Sequence, residues 1–184
     1  MPISGYGWEI HFLRDDTHSR HSDGKVRTVG RYQIYHDGVP ASGSDMNGMF
    51  AETRGPGDNS TVGNNRRIEE GIYTLRTQGG TKYKTHDYTS SASSSAIPRP
   101  GIELRGCAPR TEILIHPGRG YLSSIGCINL CTNLPDASEP ITYKSSRRRV
   151  ISMLDDLSQF LGSSFPDDNE RPVPNALVVI DGEP

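Results

Sequence analysis

The sequence predicts a mainly β fold: a mixed or antiparallel sheet curled into a sandwich or barrel, with one packed C-terminal helix and long loops. Apolar residues make up 33% of the 184 residues, whereas glycine and proline number 20 and 13, which is typical of short strands joined by many loops. Several short runs alternate between apolar and polar residues, as half-buried strands do. One stretch near the C-terminus carries apolar residues at helical spacing, which predicts the single helix.

Length, charge and cysteine content limit the classes of protein to which this chain can belong. A chain of 184 residues fits one domain, 1–184, that can bury a sizeable core. The net charge of −2 gives no electrostatic reason to expect nucleic acid as a partner, and no apolar run has the ~20 residues that a membrane span needs. The 3 cysteines do not make a disulfide framework; a Cys107–Cys131 disulfide is compatible with the sequence but cannot be deduced from it.

Two strands and a tight turn are predicted in the first part of the chain. Residues 8–13 and 26–35 alternate well enough for strands. After the second of these strands, Asp37 and Gly38 suit a two-residue type I′ hairpin turn. Residues 39–44 would then begin the return strand.

Two polar segments of the same region are predicted to be loops. Residues 15–25 have the composition of a turn, so we interpret His18 and His21 as solvated histidines in preference to metal ligands. Residues 45–67 are rich in glycine and polar side chains. They form either a plain surface excursion or a flap beside a substrate, since long loops in compact domains tend to be functional or disordered.

The middle of the chain predicts two strands separated by a long loop. Residues 68–75 are predicted to form a turn that leads into a strand, and residues 102–104 to form a short strand. Between them, residues 77–100 are rich in serine, threonine and glycine and can bury little apolar surface. We predict that this segment is a mobile loop and a candidate lid.

The C-terminal part predicts one helix and one buried strand. The helix runs from residue 147 to 161, with Ser146 as its N-cap, and the strand covers residues 176–180. The apolar residues that share one face of the helix are predicted to pack into the core. They are Val150, Met153, Leu154, Leu157 and Leu161.

One motif in the second half of the chain combines a histidine with a cysteine. The apolar run 113–115 predicts a buried strand that ends on His116, where Pro117-Gly118 forces a turn. Cys127 follows eleven residues after the histidine and opens a second apolar run, 127–130. A loop of this kind can bring the imidazole close to the thiol. The imidazole would then lower the pKa of the thiol and activate it as a nucleophile.

The residue types alone leave several interpretations of this motif open. In the catalytic one, the small Gly126 leaves the backbone open, so that the N–H groups of Gly126 and Cys127 could stabilise an oxyanion. In a second, Cys127 is a core residue and His116 caps a strand end. In a third, a zinc ion is held by four ligands, although the usual CxxC pairs are missing. Those ligands would be His116, Cys107, Cys127 and Cys131.

Residues 124–129, Ser-Ile-Gly-Cys-Ile-Asn, are similar to the S-x-G-C-[IV]-[RN] signature of L,D-transpeptidases with a YkuD-type catalytic domain. His116 before a glycine-bearing turn resembles the upstream histidine of that family. The resemblance implies the YkuD-type fold, which agrees with the predicted strands. It also implies that the substrates are peptidoglycan stem peptides, and we predict neither a cofactor nor a metal.

The resemblance assigns a role to each residue of the motif. Cys127 would attack the stem peptide, His116 would be its base, and the backbone N–H groups of Gly126 and Cys127 would hold the oxyanion. A backbone carbonyl usually orients the histidine in this family, so no acidic third partner is expected. The predicted substrate-binding residues are Ser124, Asn129 and Gly118, and for Ser124 and Asn129 support of the loop is the alternative role.

Two features depart from the usual pattern of the family. Ile125 stands where a histidine often precedes the glycine, and the spacing between His116 and Cys127 is short. Both features resemble compact, divergent members, including phage-encoded and secreted antibacterial forms. Two functions therefore stay open: a cysteine acyltransferase or peptidase, and a non-catalytic cell-wall-binding or phage structural module with the same fold.

The beginning of the sequence bears on where such a protein would act. Residues 1–8 have neither the basic start nor the apolar core of a secretory signal. We therefore expect action in the periplasm or cell wall after delivery by a phage or a type VI-like secretion system, unless a leader is missing from the sequence. An immunity protein or a secretion-system component would then be a further partner.

Overall fold

The computed structural model describes residues 2–184 and confirms the mainly β fold with one C-terminal helix. The helix α1 spans Tyr143–Leu161 and is followed by a 3₁₀ turn, Gly162–Ser164. Within residues 2–184, no helix combines the length and the hydrophobicity that a bilayer crossing requires. The strands are β1 (Trp8–Ser19), β2 (Val26–His36), β3 (Val39–Pro40), β4 (Asn47–Thr53), β5 (Gly71–Thr77), β6 (Tyr83–Lys84), β7 (Arg99–Pro100), β8 (Ile102–Arg105), β9 (Ile113–Ile115), β10 (Asn129–Cys131) and β11 (Pro172–Asp181).

One large mixed sheet curls into a nearly closed barrel. Its strands follow the order β10-β4-β2-β1-β11-β5-β8-β9, with β3 beside β2, and its only parallel pair of named strands in the described chain is β1 with β11. The two end strands approach each other at a parallel bridge between Ile115 and Ile128. There Ile128 N–H donates to the Leu114 carbonyl at 2.8 Å, and His116 N–H donates to the Ile128 carbonyl at 3.1 Å. We call this meeting of residues 112–116 with residues 126–129 the seam.

The helix packs its predicted apolar stripe into the core of this barrel. Its buried residues join the inward side chains of the strands, such as Trp8, Phe12 and Phe50, in one cluster. Trp8 also donates its indole N–H to Asp156 on the helix, at 2.7 Å. The four stripe residues that are buried are Val150, Met153, Leu154 and Leu157, whereas Leu161 is partly buried.

The helix begins earlier than predicted, at Tyr143, with Thr142 in the N-cap position. The prediction that Ser146 is the N-cap was therefore wrong. Ser146 is buried in the first turn of the helix, and its hydroxyl accepts a hydrogen bond from Gly118 N–H at 2.8 Å. The hydroxyl is used to hold the loop after β9, which a local capping rule cannot foresee.

The prediction of a loop over residues 45–67 was wrong in its first part. Asn47–Thr53 forms β4, which pairs with β2 on one side and with β10 on the other. The segment has few apolar residues, yet Phe50 and Ala51 are fully buried, because the two neighbouring strands supply both its hydrogen bonds and its cover. Residues 54–67 remain the loop.

The interpretation of His18 as a solvated loop residue was also wrong. The ladder between β1 and β2 continues past a bulge at Arg14/Asp16 and places His18 opposite Arg27. The imidazole is only 7% exposed, and its Nδ1 lies 3.1 Å from the Arg27 guanidinium. His21 is exposed in the turn that follows β1, as predicted.

The hairpin turn at Asp37-Gly38 is confirmed. Both residues have positive φ, 47° and 78°, as a type I′ turn requires, and His36 pairs with Val39 across them. The return strand predicted over residues 39–44 is limited to β3, which is only two residues long.

Candidate active site

Cys127 lies at the seam, where its side chain continues the hydrogen-bond ladder of the barrel. Its Sγ accepts a hydrogen bond from Leu114 N–H at 3.4 Å and donates to the Glu112 carbonyl at 3.6 Å. The residue as a whole is partly exposed, whereas Cys107 and Cys131 are buried. Burial of the sulfur atom raises the pKa of the Cys127 thiol to about 11, although Leu114 N–H and the charge of Arg110 favour the thiolate.

His116 follows directly after β9 and is only 2% exposed. Its Nδ1 lies 2.9 Å from the Pro117 carbonyl. Because a carbonyl can only accept, we assign the proton to Nδ1, which makes Nε2 the basic nitrogen; the amide nitrogen of Asn129 also lies near Nδ1, at the longer distance of 3.4 Å. Nε2 has no hydrogen-bond partner within residues 2–184, so it is free to accept a proton from a thiol.

The imidazole is neutral at rest. Burial lowers the pKa of His116 to about 4; the Pro117 carbonyl favours the charged form, and the Arg99 guanidinium opposes it. The ring of Tyr83 covers the imidazole, with ring centroids 4.3 Å apart. A neutral imidazole is the form that can act as a general base.

The expected activation of the thiol by the histidine is absent from the resting structure. Within residues 2–184, no hydrogen bond joins Cys127 Sγ to His116, and the pKa of the thiol is raised instead of lowered. The reason is the hydrogen bonding of the sulfur along β9, to Glu112 and Leu114. Leu114 lies two residues before His116, so the sulfur is bonded to the backbone that leads to the histidine and not to the imidazole itself.

Alkylation by iodoacetamide should follow from this arrangement. We expect Cys127 to be labelled before Cys107 and Cys131, because it is the partly exposed one of the three. Since its pKa is about 11, the labelling rate should still rise about tenfold per pH unit between neutral and alkaline pH. Peptide mass spectrometry after timed labelling measures both effects. Uniform labelling of the three cysteines, or a Cys127 rate that is already constant near neutral pH, would contradict this description of the resting thiol.

The backbone N–H groups of the two predicted oxyanion donors differ in whether they already have a hydrogen-bond partner. Gly126 N–H donates to the Thr53 hydroxyl at 2.6 Å, so in the resting site it is already used. Cys127 N–H has no hydrogen-bond partner within residues 2–184 and is free for an oxyanion. The role of Gly126 stays a prediction, and it requires the bond to Thr53 to open.

Gly126 has a steric role that is independent of any oxyanion. Its φ is 98°, and a Cβ at this position would lie 2.0 Å from Arg110 Nη2. The Arg110 guanidinium is buried and donates to the carbonyls of Asp58, Arg66 and Arg67, which ties the loop of residues 54–67 to the seam. Only glycine lets this guanidinium lie against the backbone beside Cys127.

Substitution of Gly126 by alanine should therefore destabilise the protein strongly. Gly63→Ala is a matched control, because Gly63 also has positive φ (73°) but a Cβ added there would meet no other atom within 4 Å. We expect the control to cost about 1 kcal/mol of unfolding free energy from backbone strain, and Gly126→Ala to cost about 2 kcal/mol more. Urea unfolding of both variants measures the difference. Equal losses would mean that the Arg110 contact contributes nothing.

The three predicted substrate-binding residues support the loop in this structure. The Ser124 hydroxyl donates to the Cys127 carbonyl at 2.8 Å. Asn129 is fully buried and donates its amide to the His116 carbonyl at 3.1 Å. Gly118 is buried as well, and a Cβ there would lie 2.7 Å from Asn129 Cβ. Of the two roles expected for Ser124 and Asn129, these contacts favour support of the loop.

The other cysteines are not part of this arrangement. All three cysteines are free thiols, so the structure has no Cys107–Cys131 disulfide. Within residues 2–184, no group of three or more histidine, cysteine, aspartate or glutamate side chains is placed to hold a metal ion. The four residues considered for zinc are not gathered into one site.

Four side chains near the seam were missed by the sequence reasoning. Thr53 lies on the unpredicted strand β4, and Arg110 lies in the turn between β8 and β9. Tyr83 and Arg99 belong to residues 77–100, the predicted lid, and they lie on β6 and β7, which pair with each other. The mobility of residues 77–100 stays a prediction. The contact between Tyr83 and His116 shows that this segment lies over the imidazole. No local pattern marks these residues, because each reaches the site through pairing with a distant strand or through a loop.

No protein-family model matches the chain, and neither a curated protein nor a solved structure matches it. The resemblance of residues 124–129 to the L,D-transpeptidase signature is therefore neither supported nor opposed by a relative. The function has to be inferred from the side chains that meet at the seam.

Proposed function

We propose that the protein is a cysteine acyltransferase or peptidase that acts on peptidoglycan stem peptides, as an L,D-transpeptidase, an L,D-carboxypeptidase or a D-amino-acid exchange enzyme. One observation carries the proposal. At the seam, two segments that hydrogen-bond to each other carry the thiol of the partly exposed residue Cys127, the neutral imidazole of His116 and the free backbone N–H of Cys127. The resemblance of the motif supplies the substrate class.

In the first step, Cys127 forms a thioester with the substrate. Nε2 of His116 takes the thiol proton while Sγ attacks the carbonyl carbon between the third residue and the terminal D-Ala. The carbonyl oxygen becomes an oxyanion, and Cys127 N–H donates to it. The C–N bond then breaks, and the imidazolium gives its proton to the departing amine of D-Ala.

In the second step, the thioester is cleaved by an acceptor. An amine gives a cross-link or an exchanged amino acid, whereas water gives a trimmed stem peptide. His116 removes a proton from the acceptor and returns it to the thiolate sulfur as the C–S bond breaks. The enzyme is thereby regenerated with the same two neutral groups.

The mechanism requires a movement of the thiol before the first step. Sγ must leave Leu114 N–H and the Glu112 carbonyl and rotate toward Nε2 of His116. Catalytic hydrogen bonds are often long or absent without substrate and form in the complex, so this requirement is compatible with the resting geometry.

The second candidate function is a non-catalytic cell-wall-binding or phage structural module. The raised pKa of Cys127 and its missing bond to His116 favour it, because a resting nucleophile is usually better activated. Mass spectrometry of purified tetrapeptide muropeptides after incubation with the protein separates the two functions. The enzyme would convert tetrapeptides to tripeptides, exchanged tetrapeptides or cross-linked products. Unchanged muropeptides that co-sediment with the protein would support the module and contradict the enzyme.

A further inference from the structure

A cleft of about 490 Å³ opens next to the seam and is lined by an excess of positive charge. It is formed by the loop after His116, by the turn between β1 and β2, and by the segment of residues 77–100. Four of its lining residues are cations and three are tyrosines. The cations are Arg20, Lys25, Arg99 and Arg119. A volume of this size accommodates a ligand of a few amino-acid residues.

Among residues 2–184, one carboxylate serves two of these four cations and the other two have none. Arg20 and Lys25 share the single carboxylate of Asp23, at 2.5 Å and 3.4 Å. Within residues 2–184, neither Arg99 nor Arg119 has a carboxylate within ion-pair distance. The cleft therefore attracts anions, and its concave walls concentrate the field.

The two unpaired guanidinium groups are held close together by one residue. Arg99 Nη2 donates to the Ser94 carbonyl at 2.7 Å, and Arg119 Nη1 donates to the Ser94 hydroxyl at 3.2 Å. Two like charges in contact with the same serine repel each other, and the repulsion is relieved when an anion lies between them. A guanidinium also matches a carboxylate by two parallel hydrogen bonds, which a neutral ligand cannot use.

Another lining residue of the cleft, Tyr121, is held by several contacts. The guanidinium groups of Arg20 and Arg27 both lie over the ring of Tyr121, at 4.4 Å and 4.5 Å from its centroid. Its hydroxyl donates to the His18 carbonyl at 2.7 Å. These contacts hold the Tyr121 side chain in place before a ligand arrives, which lowers the entropy cost of binding against it.

The cleft is connected to the reacting groups. Arg99 Nη1 lies 3.5 Å from the Tyr83 hydroxyl, and the Tyr83 ring covers the imidazole of His116. Pro117, whose carbonyl orients that imidazole, also lines the cleft. The cleft therefore borders the two residues that cover and orient the imidazole, although His116 itself does not line it.

We infer that this cleft binds an acidic peptide through its free carboxylates, with Arg99 and Arg119 as the specificity-determining residues. The inference rests on the proposed function and narrows its substrate class: stem peptides with free carboxylates bind, and stem peptides whose side carboxylates are amidated bind weakly. A nucleic acid is disfavoured, because the cleft holds only a few residues and the whole chain has a net charge of −2.

Calorimetric titration of the Cys127→Ala protein tests the inference without turnover. The probes are a synthetic tetrapeptide, L-Ala-γ-D-Glu-diaminopimelyl-D-Ala, and its analogue with amidated side carboxylates. We expect Arg99→Gln and Arg119→Gln each to weaken binding of the acidic peptide about fivefold, and the double variant about twentyfold. Binding of the amidated analogue should be as weak as that of the double variant and should not change with these substitutions. Arg171→Gln is the control, because Arg171 is exposed and does not line the cleft.

The outcomes distinguish this inference from the proposed function. Binding that depends on the carboxylates and on the two arginines, without turnover by the wild type, supports the cleft and contradicts the enzyme. Turnover that is equal for both peptides and for Arg119→Gln overturns the cleft and leaves the enzyme in place. Arg119 is exposed, so its substitution should not prevent folding. Tighter binding of inorganic phosphate or of a short single-stranded oligonucleotide than of the acidic peptide would also overturn the inference.

Discussion

Replacement of Cys127 by alanine is expected to abolish turnover of tetrapeptide stems, a loss on the order of a thousandfold or more, because the thioester needs its sulfur. Cys127→Ser should be nearly as inactive. A hydroxyl is harder to ionise than a thiol, and His116 has a backbone carbonyl in place of an acid to strengthen it as a base. The measurement is the initial rate of tripeptide or cross-link formation, followed by mass spectrometry.

Cys131→Ala is the control for this prediction. Cys131 is a buried thiol on β10, close in sequence to the motif, and its sulfur donates to the Asn129 carbonyl. Its loss should lower stability but leave the turnover of folded protein within about threefold of the wild type, since its sulfur takes no part in the proposed steps. If Cys127→Ala turned over tetrapeptides at the wild-type rate, the nucleophile would have to be another group.

Replacement of His116 by alanine is expected to lower kcat/KM by on the order of a hundredfold or more, the usual effect of removing a general base. His11→Ala is a matched control, because His11 on β1 is a partly buried histidine whose Nε2 lies 3.8 Å from Asp181. The control should keep the wild-type rate. A His116→Ala enzyme with an unchanged kcat/KM would leave the imidazole as a structural group only.

The pH dependence of the wild type should reveal the buried imidazole. The neutral base is required, and its pKa is lowered to about 4, so kcat/KM should fall only as the pH drops toward 4 and not near the ordinary histidine value of about 6.5. The free energy of unfolding should also decrease as the pH falls. Between these two values the unfolded chain binds more protons, so the folded protein loses stability as the pH falls. An acid limb near 6.5 would indicate that His116 becomes exposed in the working enzyme.

Much of the barrel could be predicted from local patterns. β2, β5, β8, β9 and β11 overlap the predicted alternating or continuous apolar runs, although β11 begins at Pro172, earlier than the predicted 176, and the core stripe of α1 follows its helical spacing. β4 could not be predicted, because residues 47–53 are buried by pairing with β2 and β10 and not by their own pattern. The same applies to His18, which a long β-ladder covers.

Only those residues of the candidate site that lie close together in the sequence could be predicted. The proximity of His116 and Cys127 follows from a strand, a turn and a returning segment that are all local in sequence. The hydrogen bonding of the thiol along β9 depends on the closure of the barrel, which no local pattern encodes. Thr53, Arg110 and Tyr83 reach the seam from elsewhere in the chain. For this reason the hydrogen bond that occupies Gly126 N–H, the close contact of Gly126 with Arg110 and the cover over the imidazole could only be found in the structure.

The thioester on Cys127 is the most direct test of the proposed function. Wild-type protein is mixed with the acidic tetrapeptide, quenched in acid within the first turnovers and analysed by intact-protein mass spectrometry and peptide mapping. The predicted result is an added tripeptide acyl group on the peptide that contains Cys127, absent from Cys127→Ala and removed by hydroxylamine, which cleaves thioesters. Product formation by the wild type with the adduct on another residue, or the same product formation by Cys127→Ala, would contradict the proposal.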